Sequence, residues 1–273
     1  MGHTVKELPV TRTGTLDTDH LAGLLNEDVR LICVMQVNNE SGAIQPIGDI
    51  VRLRNEKAPG AAIHVDGVQG FMRVPVDFNK SGIQSYALSG HKIHALKGIG
   101  ALVVRREHRV SPIVFGGGQE ENYRSGTENM PGIISLGEAV RSYPADGVAR
   151  MAALKLRLLK GLRDALPDAV LNGPEPGDPA CSPHVLNVSL PPVRSQTMLF
   201  ALEGDGVYVS AGSACSSRKQ KVSPILTAMG LTTQLADCAL RFSLCPDLTE
   251  EQIDYTVACV KKQYELLYRY VRR

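Results

Sequence analysis

The chain has no tryptophan and few aromatic residues, and neither sign of charge dominates it. Its 273 residues carry 30 Lys and Arg against 28 Asp and Glu, which gives a formal net charge of +2. A dedicated nucleic-acid surface normally needs a concentrated basic excess, so this balance argues against a nucleic-acid partner. Short basic runs occur at Arg105-Arg106 and Arg218-Lys219. They are typical of solvated surface, although the second run could also dock an acidic partner.

The chain also lacks long apolar runs and paired cysteines. No apolar stretch approaches the ~20 residues that a membrane span requires, and the N-terminus does not resemble a secretory signal, so no membrane partner is predicted. The six cysteines are scattered without a Cys-x-x-Cys pair. This pattern favours reduced thiols in the cytoplasm over a disulfide framework. His91 and His94 have a spacing suited to metal ligands, but no further ligands lie near them in sequence, so no metal is predicted.

Apolar periodicity predicts an α/β fold with two domains. In the first half, β-branched strands alternate with helical patterns, which is typical of a parallel sheet covered by helices. The predicted strands there are 29–37, 61–65, 85–88 and 99–104. The later part is predicted to contain a helix over 148–166, strands at 184–190, 207–209 and 240–244, and a last helix starting at Thr249 with a capping box. The pattern predicts a large domain over 1–145 and a smaller α+β domain over 146–273.

A lysine and its upstream neighbours carry the most informative chemistry. Lys92 follows one predicted strand, and Asp66 and Gln69 follow the strand before it, at the end where α/β sheets place ligands. A lysine in this company favours a carbonyl cofactor, pyridoxal phosphate, with Lys92 as the Schiff-base lysine. Asp66 is predicted to hold a proton on the pyridine nitrogen and Gln69 to bond the ring hydroxyl. Ser89 and His91 offer donors to the phosphate.

Cys215 differs from the other cysteines in its surroundings. It lies among serine, glycine and alanine, a composition that predicts a mobile loop, and Arg218 and Lys219 follow it. Exposure beside basic groups favours the thiolate, so Cys215 is the predicted nucleophile. Cys33 in an apolar strand and Cys259 on the last helix are predicted to be inert core residues.

Six short motifs occur in order along the chain. They are Val37-Asn38-Asn39-Glu40, His64-Val65-Asp66, Ser89-Gly90-His91-Lys92, Gly116-Gly117-Gly118-Gln119-Glu120, Arg124-Ser125-Gly126-Thr127 and Gly212-Ser213-Ala214-Cys215. Together they resemble the cysteine desulfurases of the NifS and IscS type, in the class V aminotransferase superfamily, over nearly the whole chain. The resemblance implies the pyridoxal-phosphate-dependent transferase fold of the aspartate aminotransferase type (fold type I), with a small C-terminal α+β domain.

The resemblance also implies roles for three further residues. Asn39 lies on the hydroxyl side of the cofactor ring, unless it is only a turn residue. Thr127 reaches the phosphate of the other subunit's cofactor in a homodimer, unless it is only a helix N-cap. Arg241 grips the substrate carboxylate, unless it forms a structural salt bridge.

The activity that the resemblance implies is the conversion of L-cysteine to L-alanine. A persulfide left on Cys215 would pass to an acceptor protein, such as an iron–sulfur scaffold or a tRNA-thiolation protein. Family members begin well before this chain does, with a Gly-Gly-Thr-Glu phosphate turn and a ring-stacking histidine that we do not find here, so we expect a truncated large domain. Two alternatives stay open. One is a selenocysteine lyase or another class V aminotransferase, and the other is an inactive remnant that serves as a binding or dimerisation module.

Overall fold

The computed structural model describes residues 2–211 and 223–270. In chain order the helices and strands are α1 (Thr18–Leu24), β1 (Leu31–Met35), α2 (Ile47–Lys57), β2 (Ala62–Asp66), β3 (Ser85–Ser89), β4 (Gly100–Val104), α3 (Met130–Arg141), α4 (Gly147–Ala165), β5 (Val170–Leu171), β6 (Val185–Ser189), α5 (Ser195–Gly204), β7 (Ser210–Ala211), α6 (Pro224–Ala228), α7 (Thr233–Asp237), β8 (Ala239–Ser243) and α8 (Glu250–Tyr268). Two 3₁₀ helices, Gly90–Ile93 and Glu120–Asn122, lie among them.

The chain divides into two compact units, each built on its own sheet. The parallel-sheet unit comprises Leu25–Gln36 and Ile47–Tyr143. The antiparallel-sheet unit comprises Met1–Leu24, Val37–Pro46 and Pro144–Arg273. The predicted domains, 1–145 and 146–273, remain a prediction. The two compact units divide near the same boundary, but Met1–Leu24 and Val37–Pro46 belong with the C-terminal part.

The parallel-sheet unit has the strand order β1-β2-β3-β4. β1 runs parallel to β2, and β2 runs parallel to β3, so the carboxyl ends of these strands meet one edge of the sheet. β4 pairs with β3 in the antiparallel sense. The connection between β3 and β4 is shorter than the dozen or more residues that a parallel crossover requires, which accounts for the reversal.

β1 lies at the edge of its sheet and buries only one face. Ile32 and Val34 are buried, whereas Leu31, Cys33 and Met35 are exposed. The prediction of Cys33 as a core residue was therefore wrong, because the apolar strand that contains it is covered on one face only. A continuous apolar run does not distinguish a strand covered on both faces from a strand covered on one.

The antiparallel-sheet unit has the strand order β5-β6-β8-β7, and all five residues of β6 are buried. α4 buries the predicted stripe Met151, Leu154, Leu158 and Leu162. α8 begins with the predicted capping box between Thr249 and Gln252, packs on α4, and buries Cys259 as predicted.

The strand predicted at 207–209 was wrong. The Val207 N–H donates to the Leu202 carbonyl at 2.9 Å, which closes the turn after α5. Its backbone donor is therefore committed to a helix end, and the sheet begins only at β7.

No helix within 2–211 and 223–270 is long and apolar enough to cross a membrane. In the same part of the chain, no three His, Cys, Asp or Glu side chains cluster closely enough to hold a metal ion.

Candidate functional site

Asp66 ends β2, and its own side chain fixes the turn that follows. Asp66 Oδ1 accepts a hydrogen bond from the Val68 N–H at 2.9 Å. This is an Asx-turn, in which a short acidic side chain replaces a backbone acceptor. The half-buried carboxylate is therefore held at the carboxyl edge of the parallel sheet, where the sequence predicted it.

The loop after Asp66 is packed too tightly for any residue but glycine at two positions. A Cβ on Gly67 would lie 1.8 Å from Tyr86 Cζ, and a Cβ on Gly70 would lie 1.9 Å from Gln36 Oε1. Tyr86 Oη donates to Gln36 Oε1 at 2.7 Å, so the two side chains that pack against these glycines are themselves hydrogen-bonded. The half-buried Gln69 lies between the two glycines and is thereby positioned.

Tyr86 is buried and electrostatically coupled to the site. Burial first, and then the negative charge of Asp66, raise the pKa of the Tyr86 hydroxyl. Tyr86 therefore stays neutral and keeps its proton for Gln36. Sequence reasoning missed this pair, although a glutamine at the end of an apolar strand was a usable signal.

Lys92 lies in the 3₁₀ helix Gly90–Ile93, which directly follows β3. Its side chain is half-buried, and its backbone carbonyl accepts a hydrogen bond from the guanidinium of Arg73. Arg73 is 6% exposed, so a buried cation from the preceding loop fixes the main chain that presents the lysine. Nothing in the sequence near Arg73 predicted this contact.

His94 closes the same 3₁₀ helix. It is the C-cap residue and adopts the left-handed conformation, with φ of 71°. Its backbone N–H donates to the Gly90 carbonyl, which ends the helix.

Ser89 and His91 lie on either side of Gly90, at the junction of β3 and the 3₁₀ helix. Ser89 Oγ and His91 Nδ1 are 2.7 Å apart and form a hydrogen bond. Burial, followed by the positive charges of Lys92 and Lys97, lowers the pKa of His91. The imidazole therefore remains neutral to lower pH than a free histidine. The bond between the two side chains uses one donor hydrogen, so the pair offers either the His91 ring N–H or the Ser89 hydroxyl, according to the tautomer.

Thr127 is exposed and does not cap a helix. The N-cap of α3 is Asn129, whose side chain accepts from the Gly132 N–H at 3.1 Å. The alternative interpretation of Thr127 as an N-cap was therefore wrong, and its reach toward a second subunit stays a prediction. The preceding loop is held by a hydrogen bond from the Gly126 N–H to Gln119 Oε1 at 3.0 Å.

Asn39 and Arg241 come together in the antiparallel-sheet unit. Asn38 Oδ1 accepts from the N–H groups of Glu40 and Ser41, both at 2.9 Å, so Asn38 rather than Asn39 makes the turn. Arg241, on β8, donates from Nη1 to the Asn39 carbonyl at 3.0 Å. Its Nη2 donates to Ser210 Oγ at 3.1 Å. These contacts fix the guanidinium beside the backbone of Asn39.

A buried carboxylate beside Asn39 was missed by sequence reasoning. Glu40 is 3% exposed, and its Oε2 accepts a hydrogen bond from Ser223 Oγ at 2.5 Å. Ser223 is also the N-cap of α6, accepting from the Leu226 N–H. Glu40 therefore anchors the first described residue after 212–222, the stretch that contains Cys215. Cys215 itself lies outside the described residues.

The predicted site residues thus fall into two groups. The parallel-sheet unit holds Asp66, Gln69, Ser89, His91, Lys92 and Thr127, and the antiparallel-sheet unit holds Asn39 and Arg241. Their roles stay predictions.

Comparison with known proteins identifies the family of the chain. The model of the family "Aminotransferase class-V" matches residues 1–256. A cysteine desulfurase of Nostoc sp. is 38% identical over 269 residues, which cover 97% of this chain and 66% of that relative. Among solved structures, a NifS-like protein has a TM-score of 0.87 at 33% identity, covering 97% of this chain and 69% of that one. The structure titled "SspA in complex with cysteine" has a TM-score of 0.74 at 30% identity, covering 90% and 67%.

These matches confirm the predicted fold type, the pyridoxal-phosphate-dependent transferase fold of type I. The chain spans about two thirds of the length of the curated relatives that it matches. Since the family model covers most of its length, the chain belongs to the aminotransferase class-V family, and its relatives include cysteine desulfurases of the NifS and IscS type.

Proposed function

We propose that this chain carries out the chemistry of a pyridoxal-phosphate-dependent cysteine desulfurase, converting L-cysteine to L-alanine and transferring the sulfur to Cys215. The observation that carries the proposal is the placement of Asp66 and Lys92. Asp66 ends β2 and Lys92 lies just past the end of the neighbouring parallel strand β3, and each is fixed by a partner of its own. The relatives named cysteine desulfurase and the cysteine complex of SspA support L-cysteine as the substrate.

The donor chemistry of the described residues fits pyridoxal phosphate. The Lys92 amine suits its aldehyde, and the Asp66 carboxylate suits a protonated ring nitrogen. The Ser89 hydroxyl and the His91 imidazole, already paired with each other, suit the phosphate. When bound, the cofactor supplies an electron sink for the negative charge that develops at the substrate Cα.

The chain's own residues would then bind, orient and move protons. Arg241 would hold the substrate carboxylate through its planar fork of donors. Lys92 would take the proton from Cα as a general base, with its main chain held by Arg73. Asp66 would keep the proton on the ring nitrogen. The Cys215 thiolate would attack the substrate sulfur, so that an S–S bond forms on the enzyme as the substrate C–S bond breaks.

The proposed setting is a homodimer in the cytoplasm, in which Thr127 serves the partner's site and an acceptor protein takes the persulfide. The acceptor would be an iron–sulfur scaffold or a tRNA-thiolation protein. The basic residues Arg218 and Lys219, close to Cys215 in sequence, support an acceptor with an acidic docking surface.

Replacing Cys215 with serine tests the proposed reaction directly. Serine lacks the nucleophilic sulfur, so protein persulfide and released sulfide should fall to background when L-cysteine is added. Persulfide is measured by mass spectrometry, and sulfide is measured after reduction with dithiothreitol. The matched control is Cys33→Ser, which alters an exposed thiol on β1 and should leave both products unchanged. Unchanged sulfide release from Cys215→Ser would refute the proposal, whereas keto-acid production by that variant would favour an aminotransferase.

Replacing Arg241 with lysine should weaken substrate binding. A hydrogen bond between charged groups contributes about 1.5–3 kcal/mol, so the KM for L-cysteine should rise roughly 10–100-fold while kcat changes less. Steady-state kinetics measures both constants. Arg194→Lys, at an exposed ion pair with Asp237 in the same unit, is the control and should leave KM unchanged. A fall in kcat at constant KM would argue against carboxylate binding by Arg241.

A non-catalytic binding or dimerisation module is the second candidate. It is favoured by large apolar side chains exposed on the parallel-sheet unit, among them Leu31 (56%), Leu102 (52%) and Phe115 (80%). Exposed apolar residues in such number are typical of surfaces that contact another polypeptide. Titration with pyridoxal phosphate followed by borohydride distinguishes the two candidates. A stable adduct on Lys92 supports the enzyme, and an adduct spread over surface lysines supports the module.

A further inference from the structure

A buried lysine on α4 points at a cysteine rather than at a carboxylate. Lys155 is 2% exposed, and its Nζ lies 2.9 Å from Cys181 Sγ and 2.9 Å from the Ser182 carbonyl. No ion pair of Lys155 occurs among residues 2–211 and 223–270. A buried ammonium normally requires a charged partner, so this amine has an unusual environment, in which a sulfur atom is the titratable neighbour.

The same burial gives the amine a chemical role. Removal from water lowers the pKa of Lys155, and the neighbouring Cys181 only partly opposes this effect. A larger fraction of the amine is therefore unprotonated than on a surface lysine. A neutral amine at hydrogen-bond distance can accept the thiol proton and can also act as a nucleophile.

Cys181 is more exposed than its partner Lys155. Its side chain is half-buried, and its Sγ also approaches the Pro174 carbonyl at 3.4 Å. Cys238 and Cys259, by contrast, are buried. A small oxidant could therefore approach Cys181, and the Lys155 amine lies 2.9 Å from its sulfur.

We propose that Lys155 and Cys181 form an oxidation site, at which hydrogen peroxide converts the pair into a covalent S–N cross-link. Lys155 takes the thiol proton, and the sulfur attacks one peroxide oxygen as the O–O bond breaks. The sulfur is oxidised by two electrons to the sulfenic acid. The other oxygen takes the proton back from Lys155 and leaves as water, so the amine is neutral again.

The second step needs no further oxidant. The neutral Lys155 amine attacks the sulfenic sulfur, the S–N bond forms, and the S–O bond breaks. The oxygen leaves as a second water with a proton from the nitrogen. One peroxide is consumed, and the protein loses two hydrogen atoms. The cross-link joins α4 to the segment before β6, and a thiol reductant reverses it. The proposal is independent of the function proposed for Lys92 and Cys215.

Mass spectrometry of the intact chain after treatment with hydrogen peroxide tests the proposal. The expected product has lost two hydrogen atoms, contains linked peptides that include Lys155 and Cys181, and returns to its original mass with dithiothreitol. Cys33, which is exposed on β1, is the internal control and should form no lysine cross-link. Loss of two hydrogens from a disulfide between cysteines, with Lys155 unmodified, would overturn the proposal.

Two variants separate the steps. Lys155→Arg keeps the positive charge but removes both the base and the nucleophilic amine. No cross-link should form, and the sulfenic acid, formed more slowly without the base, should persist on Cys181 and be labelled by dimedone. Cys181→Ser should give neither product at this site. Dimedone labelling of Cys181 in the unsubstituted chain without any cross-link would overturn the proposal. Because Lys155 is buried, circular dichroism must first show that Lys155→Arg is folded; otherwise the peptide map of the unsubstituted chain decides.

Discussion

Replacing Lys92 with arginine is expected to remove desulfuration and reducible cofactor attachment together. Arginine keeps the positive charge, and the contact from Arg73 is preserved because it is made to the backbone carbonyl of residue 92. A guanidinium, however, stays protonated and neither attaches to an aldehyde nor accepts a proton from carbon. A positioned general base contributes roughly 10²–10⁴-fold, and covalent attachment is lost as well, so kcat should fall at least about 10³-fold.

Borohydride reduction with pyridoxal phosphate, followed by peptide mapping, measures attachment independently of turnover. The parent chain should carry its label on Lys92 and the variant should carry none there. Lys97→Arg, an exposed site five residues further along, is the matched control and should keep both label and activity. If Lys92→Arg retains more than about a tenth of the parent kcat, Lys92 is not the essential amine.

The fold was predictable from the sequence where apolar periodicity or a helix-capping signal marked an element. The stripe on α4 and the capping box of α8 are local patterns, and both are confirmed. The exposed face of β1 was not predictable, because exposure depends on what covers a strand rather than on the strand itself. The strand predicted at 207–209 failed for a local reason, since its backbone donor closes a helix end.

The candidate site divides in the same way. Residues that carry chemistry, such as Asp66 and Lys92, follow strand ends and could be identified from position and type. The residues that make the supporting contacts could not be identified, because these contacts join positions that are far apart in the sequence. Tyr86 and Gln36 are 50 residues apart in sequence, and Ser223 and Glu40 are 183 apart.

Neutralising Asp66 by replacement with asparagine should reduce activity while leaving the fold intact. The asparagine Oδ1 can still accept from the Val68 N–H, so the turn after β2 is kept. What is lost is the negative charge proposed to hold a proton on the ring nitrogen. Removing one such electrostatic contact costs roughly 10²–10³-fold in kcat, and we expect a loss in this range, measured by alanine production from L-cysteine.

Tyr86 provides a readout of the same substitution that does not depend on activity. The Asp66 charge raises the pKa of Tyr86, as a smaller cause beside burial, so Asp66→Asn should lower this pKa while it stays above that of free tyrosine. Alkaline difference spectroscopy of the two chains measures the change. Asp49→Asn, which alters an exposed carboxylate on α2, should change neither kcat nor the tyrosine titration. If the Tyr86 titration shifts while kcat is unchanged, Asp66 interacts with Tyr86 but takes no part in the reaction. Unchanged titration together with lost activity would contradict the coupling between the two side chains, because a charge near the buried hydroxyl cannot be removed without effect.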